Sequence, residues 1–274
     1  MKYAEALFLQ QPWLITPQAH AALVSAVQSF FNSPPPPFSP EADSSLLTIE
    51  DGVGVITIDG PIMRRPDIIA RFIFGATDTD EVIAAVREAQ SRPDVQAVML
   101  DFDSPGGTVG GTPELAQAIA DLSAQKYTYA FTGGQLCSAA YWAASQSDAI
   151  YASPSARIGS IGVLMPVVDR SESLRNDGIK VEVFAAGKFK SAGTPGVPLT
   201  DDQRALIQSD VEEIATDFRT AVLARGRKIP ADAMEGQTFS ARKAVNNSLI
   251  CAVVPDRDTV FAKLQDRHVV TPAS

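Results

Sequence analysis

The chain has 274 residues, 45% of them hydrophobic and 20% charged, which fits a soluble globular protein and excludes a largely disordered one. Its 23 basic and 32 acidic residues give a net charge of −9, against the basic footprint that nucleic-acid binding requires. Two cysteines, Cys137 and Cys251, cannot build a disulfide framework and are expected as buried, reduced thiols. No stretch approaches the ~18 apolar residues of a membrane span, and Met1-Lys2-Tyr3-Ala4-Glu5 does not open like a signal peptide, so a cytoplasmic location is expected.

The first predicted element is a helix over residues 16–31. Thr16 serves as N-cap, Pro17 takes the first helical position, and Leu23, Val24, Val27, Phe30 and Phe31 recur at helical spacing. Residues 32–45 carry prolines at 34–37 and at 40 and predict an extended spacer. The chain therefore divides into an N-terminal helical arm (1–31), a Pro-rich linker (32–45), a main domain (46–254) and a C-terminal helix and tail (255–274). The arm has one apolar face and should dock on its own domain or on a neighbouring subunit.

Within the main domain, two apolar runs around Glu50-Asp51-Gly52 predict a hairpin. Asp78 and Glu81 are spaced to cap a helix carrying Val82, Ile83 and Val86, which must end before Pro93. Then follow a strand over 95–102, a helix over 113–124, a strand over 127–132, a short helix over 138–145 and a strand over 149–152. A helix closed by Gly178 precedes a strand over 181–185. Thr200 and Gln203 form a capping box for a long helix that stops at Gly226. This alternation defines an α/β fold of parallel βαβ units with covering helices.

Parallel sheets collect their chemistry at the carboxyl ends of strands. One such turn is Asp101-Phe102-Asp103-Ser104-Pro105-Gly106-Gly107, where paired glycines let backbone N–H groups face a ligand. For a lone Pro-Gly-Gly a plain tight turn is the better explanation, the spacing fits no phosphate or dinucleotide fingerprint, and Asp101 and Asp103 lack further metal ligands. The other is Gly133-Gly134-Gln135-Leu136-Cys137-Ser138-Ala139, running from strand into helix. A serine there sits beside free N–H groups that suit a developing oxyanion, although serine is also a common structural N-cap. Cys137 is a rival nucleophile that would need a nearby histidine.

The only histidines, His20 and His268, lie outside the predicted core, so a Ser-His-Asp triad is not expected and lysine becomes the alternative base. Lys190 follows the predicted strand over 181–185, with Lys188 as its nearest competitor. To accept a proton near pH 7 it must titrate about three pH units below its reference of ~10.4, a differential stabilisation of about 4 kcal/mol that burial can supply.

Together, Asp103-Ser104-Pro105-Gly106-Gly107, Cys137-Ser138-Ala139-Ala140-Tyr141, Arg157-Ile158-Gly159-Ser160-Ile161-Gly162-Val163 and Gly187-Lys188-Phe189-Lys190-Ser191-Ala192-Gly193 resemble the signal peptide peptidase A (protease IV) family of serine peptidases. The layout is most similar to the family's bacteriophage head-maturation branch, the protein C type. The resemblance implies a Clp-protease/crotonase-like fold, a peptidase domain over 46–254 and a Ser/Lys dyad without metal or organic cofactor. Ser138 matches the nucleophile and Lys190 the general base. Gly106, Gly107 and Ala139 match the oxyanion hole, and Ser160 matches a serine that orients the lysine. Ala139-Ala140 stand where the family often has Gly-Gly, and the late motif, usually Ala followed by Gly-Leu, reads Ala244-Val245-Asn246-Asn247-Ser248-Leu249, where an asparagine can adopt the left-handed conformation that keeps the turn.

The resemblance further implies a homo-oligomer, in which one site can draw its serine and lysine from different subunits, with the arm and residues 68–74 as candidate contacts. Substrate is expected as an extended polypeptide pairing with the edges at Thr108-Val109 and at residues 161–165. Capsid, portal or scaffold proteins are the expected substrates, placing the protein in a bacterial host's cytoplasm or a phage prohead. A peptidase that degrades signal peptides, a crotonase-like acyl-CoA enzyme and a non-catalytic assembly protein are the competing expectations.

Overall fold

The computed structural model describes residues 11–32, 45–67, 70, 71 and 74–269. The proline run and most of the apolar stretch at 68–74 lie outside the described residues.

Strand β1 (Trp13–Ile15) leads into helix α1 (Pro17–Asn32), whose first turn is capped by the Ala19 N–H donating to Thr16 Oγ1 at 3.3 Å. The predicted hairpin is β2 (Leu47–Glu50) and β3 (Val53–Asp59), paired antiparallel. Its turn places Asp51 at φ 47° and Gly52 at φ 78°, the doubly left-handed geometry that an Asp-Gly pair favours. Two short strands, β4 (Ile62–Met63) and β5 (Thr77–Asp78), precede α2 (Thr79–Ser91). Asp78 caps α2 as expected, accepting from the Asp80 N–H at 2.9 Å, whereas Glu81 does not close the capping box and pairs with Arg71.

The chain continues through β6 (Ala97–Ser104), β7 (Gly106–Thr108), α3 (Thr112–Ser123), β8 (Tyr127–Cys137), α4 (Ala139–Ala144), β9 (Ala149–Ala152) and β10 (Arg157–Gly159). Strands β3, β6, β8 and β10 run parallel in the main sheet, with β2 and β11 (Thr238–Ser240) as antiparallel edges. Strand β8 forks this sheet: its first half pairs with β9 and its last three residues with β10. The shift in register between Phe102 and Ser104 of β6 lies beside this fork. A second, four-stranded sheet has the order β1-β7-β4-β5.

Alternation along β3 and β6 sends side chains to two cores. On one face Ile56, Ile58, Val98, Leu100 and Phe102 pack with Val82 and Val86 of α2 and Leu115, Ile119 and Leu122 of α3. On the other face Val53, Val55, Ala97 and Met99 meet Val260 and Leu264 of the C-terminal helix, residues Arg257–Val269. Each fully buried side chain of this size contributes about 1.5–3 kcal/mol of burial free energy. Among the described residues no helix is long and apolar enough to cross a membrane.

Helix α5 (Ser171–Asn176) ends at Gly178 with φ 75°, as expected. The predicted strand over 181–185 does not form; this stretch is irregular and pairs with no strand among the described residues. Phe184 is 94% exposed there. The long helix α6 (Asp201–Leu223) starts with both bonds of the Thr200/Gln203 capping box and stops before Gly226 at φ 74°. In the late motif the left-handed turn survives on Ser248, at φ 58°, rather than on an asparagine; Asn247 stays at φ −90°. Cys251 is exposed, so only Cys137 is buried as expected, and both thiols are free.

Candidate active site

Strand β8 delivers Ser138 to the start of α4 in a conformation that non-glycine residues seldom adopt, φ 53° and ψ −118°. Three interactions hold it there. The Ser138 N–H donates to the Gly159 carbonyl at 2.8 Å, its carbonyl accepts from the Trp142 N–H at 2.9 Å, and α4 is buried along its length. Trp142 stacks on Phe218 of α6 with centroids 4.8 Å apart, and the Tyr141 hydroxyl donates to the Leu249 carbonyl at 2.8 Å. Ser138 Oγ is fully buried and has no hydrogen-bond partner among the described residues. A hydroxyl buried without a partner costs free energy unless another group completes the site.

Gly106 faces this serine from β7, with Gly107 next along the strand. Gly106 has φ 108°, and a β-carbon there would overlap the Leu14 carbonyl and approach Ser138 Cβ to 2.8 Å; one at Gly107 would overlap the Ile62 carbonyl. Only glycine lets β7 lie this close. The Gly106 N–H is engaged by Ser104 Oγ at 3.2 Å. The Ala139 N–H belongs to the first turn of α4, where no intrahelical acceptor exists. Ser160 is buried, takes φ 53° and anchors its N–H on the Gln237 carbonyl at 2.7 Å.

Lys190 lies apart from this cluster. It is exposed, on the turn over residues 187–193, and carries no ion pair among the described residues. Since Ser138 Oγ has no partner, the lysine amine does not reach it within the single chain. Lys188 pairs with Asp202 at 2.6 Å and lies over the Phe189 ring. Gln203, buried in α6, holds this turn from beneath, its amide donating to Ser191 Oγ at 3.1 Å and to the Lys188 carbonyl at 3.4 Å. The capping-box spacing marked Gln203 in the sequence, but its second role depends on a contact that has no local signature.

The rival groups are otherwise occupied. Burial pushes the Cys137 thiol up to about 12, so it stays protonated near neutrality. Asp103 Oδ1 accepts from the Gln135 N–H at 2.9 Å, and Asp101 pairs with Arg257 at 3.2 Å. An open groove of about 430 Å³ runs from Ser160 along residues 161–164, between Ile15 and the Val211–Arg219 face of α6.

The site thus places a serine in a strained conformation at a strand-to-helix junction, fronted by a glycine strand, in a mostly parallel α/β fold. The chain belongs to peptidase family S49, whose family model matches residues 120–270. It is similar to capsid assembly protease C of Escherichia phage lambda, with 28% identity over 77% of this chain and 48% of that protein. It is also similar to head-tail preconnector protein GP5 of Enterobacteria phage P21, with 29% identity over 77% of this chain and 42% of the relative. The chain thus spans about half the length, or less, of these relatives. Among solved structures, an enoyl-CoA hydratase from Mycobacterium avium is 15% identical, with a TM-score of 0.45 over 84% of this chain and 78% of that one.

Proposed function

We propose that this chain is a serine endopeptidase in which Ser138 is the nucleophile and Lys190 the general base, acting on extended polypeptide during phage or prophage head assembly. The observation that carries this reading is the buried, unpartnered Ser138 hydroxyl at a strained junction beside a glycine strand. The similarity to a capsid assembly protease supports capsid, portal or scaffold proteins as substrates.

In the proposed reaction Ser138 Oγ bonds to the scissile carbonyl carbon as its proton passes to neutral Lys190 Nζ. The N–H groups of Gly107 and Ala139 receive the oxyanion. Collapse breaks the C–N bond, Lys190 returns the proton to the leaving amine, and water then releases the acyl group from Ser138. Ser160, beside the groove, orients the lysine. No cofactor enters any step.

Lys190 must travel to Ser138 or be supplied by a second copy. Exposed apolar side chains on the same irregular stretch, Val183, Phe184 and Phe189, support its docking onto a neighbour. The test is turnover of an unfolded protein substrate by the wild type, Ser138→Ala, Lys190→Ala and a mixture of the two variants. The reading predicts loss of at least a hundredfold in each single variant and partial recovery in the mixture where the dyad spans subunits. Undiminished turnover by either variant alone contradicts it.

A further inference from the structure

The place that the sequence assigns to substrate is already filled. The edges at Thr108-Val109 and at residues 161–165 were expected to bracket an extended polypeptide, and β1 lies between them. On one side Trp13, Leu14 and Ile15 pair antiparallel with Thr108, Gly107 and Gly106. On the other, Trp13 exchanges both backbone bonds with Leu164, its N–H donating at 2.8 Å and its carbonyl accepting at 3.0 Å. The Thr16 N–H extends the pairing to the Pro105 carbonyl at 3.0 Å.

Strand alternation fixes where the next carbonyl goes. Because Trp13 directs its N–H and C=O at Leu164, those of Leu14 face Gly107. The Leu14 carbonyl oxygen and Ser138 Cβ both crowd the point where a β-carbon of Gly106 would fall. A backbone carbonyl of the chain itself therefore sits beside the candidate nucleophile, against the glycine proposed as oxyanion donor. Such a segment competes with incoming polypeptide at the high effective concentration that its covalent attachment confers.

We propose that β1 is a tethered plug of the substrate cleft, which a polypeptide must displace before its own carbonyl can reach Ser138. The proposal rests on the peptidase reading of this cleft and adds its regulation and side-chain preference. Leu14 is buried in the main core, whereas Trp13 and Ile15 join a separate cluster with Leu23, Met63 and Ala70. The displacing strand accordingly presents an aliphatic side chain at the register of Leu14.

The test measures binding in a Ser138→Ala background, so that it does not depend on turnover. A fluorescein-labelled peptide of sequence Pro-Trp-Leu-Ile-Thr is titrated by anisotropy against the full chain with and without Leu14→Asp. The plug predicts at least tenfold tighter binding when Leu14→Asp expels β1, and none by a peptide carrying Asp in place of its Leu. A second variant guards against misfolding: Trp13→Cys with Thr108→Cys, directly opposed across the β1–β7 pair, in a Cys251→Ser background. Oxidation should abolish peptide binding and reduction restore it. Equal binding by the oxidised and reduced forms overturns the proposal, as does cleavage of the intact Ser138 chain between Leu14 and Ile15, which would make the segment a substrate. Failure of the peptidase reading shows separately, as absence of hydrolysis by the Ser138 chain once the plug is released.

Discussion

Ser138 and Gly106 approach so closely that a β-carbon on the glycine would come 2.8 Å from the serine's own, and this contact sets the separation between β7 and the start of α4. At φ 108° an alanine at position 106 is strained even before that overlap. Gly106→Ala should therefore destabilise the fold by more than about 1 kcal/mol and loosen β1. Gly110, with open space around it, is the control and should change by less than about 0.5 kcal/mol on Gly110→Ala. Urea unfolding of the pair checks both values.

Trp142 joins the helix behind Ser138 to α6 through its stack on Phe218. Trp142→Ala opens a cavity in a fully packed region and should cost about 3–5 kcal/mol. Trp142→Phe keeps a ring against Phe218 and should cost less than half of that. Thermal or chemical unfolding orders the two variants.

Gln203 connects the start of α6 to the turn that bears Lys190 through bonds to Ser191 and the Lys188 carbonyl. Gln203→Leu removes those bonds, with a loss of about 1–2 kcal/mol. Amide exchange over residues 188–192 should accelerate, while exchange in β6 and β8 should hold. Unchanged protection over 188–192 would show that the turn is ordered by something else.

His20 presses edge-on against Trp13 at 5.7 Å, and its buried Nε2 has no hydrogen-bond partner among the described residues. Burial lowers its pKa from 6.5, so the docked arm favours the neutral ring. Its contribution is complete above pH 6.5 and is lost as the pH falls through the lowered value. Protection of the Trp13 amide, corrected for intrinsic exchange, should therefore drop on acidification in the wild type. His20→Phe should remove that dependence.

The cysteines should separate cleanly by reactivity. Cys251 is exposed and Cys137 buried with a thiol pushed up to about 12. A thiol-specific disulfide reagent at neutral pH should modify one cysteine per chain in the native state and two after denaturation. The Cys251→Ser variant should be inert until unfolded.

Features specified by neighbouring residues were legible in the sequence. The Asp51-Gly52 turn and the Thr200/Gln203 capping box arise from contacts a few positions apart, whereas the junction bearing Ser138 was marked by its strand-to-helix sequence but is held by the distant Gly159, Phe218 and Leu249. The stretch over 181–185 has the alternation of a strand yet stays irregular, because a strand also needs a partner and among the described residues it pairs with none. Strand β1 shows the converse. Three residues carry no periodicity, and Trp13–Ile15 becomes a strand only because β7 and Leu164 flank it on both sides. The left-handed turn of the late motif is kept by a serine and not by an asparagine: helix α7 (Ala241–Asn246) ends so that the reversal falls on Ser248.

The most direct measurement of the central claim is mass spectrometry of the assembled protein after reaction with a serine-directed fluorophosphonate. The account predicts one adduct per active site, mapped to Ser138, absent in Ser138→Ala and slowed at least tenfold in Lys190→Ala. An adduct on another residue, or labelling of Ser138 at the same rate without Lys190, would contradict it.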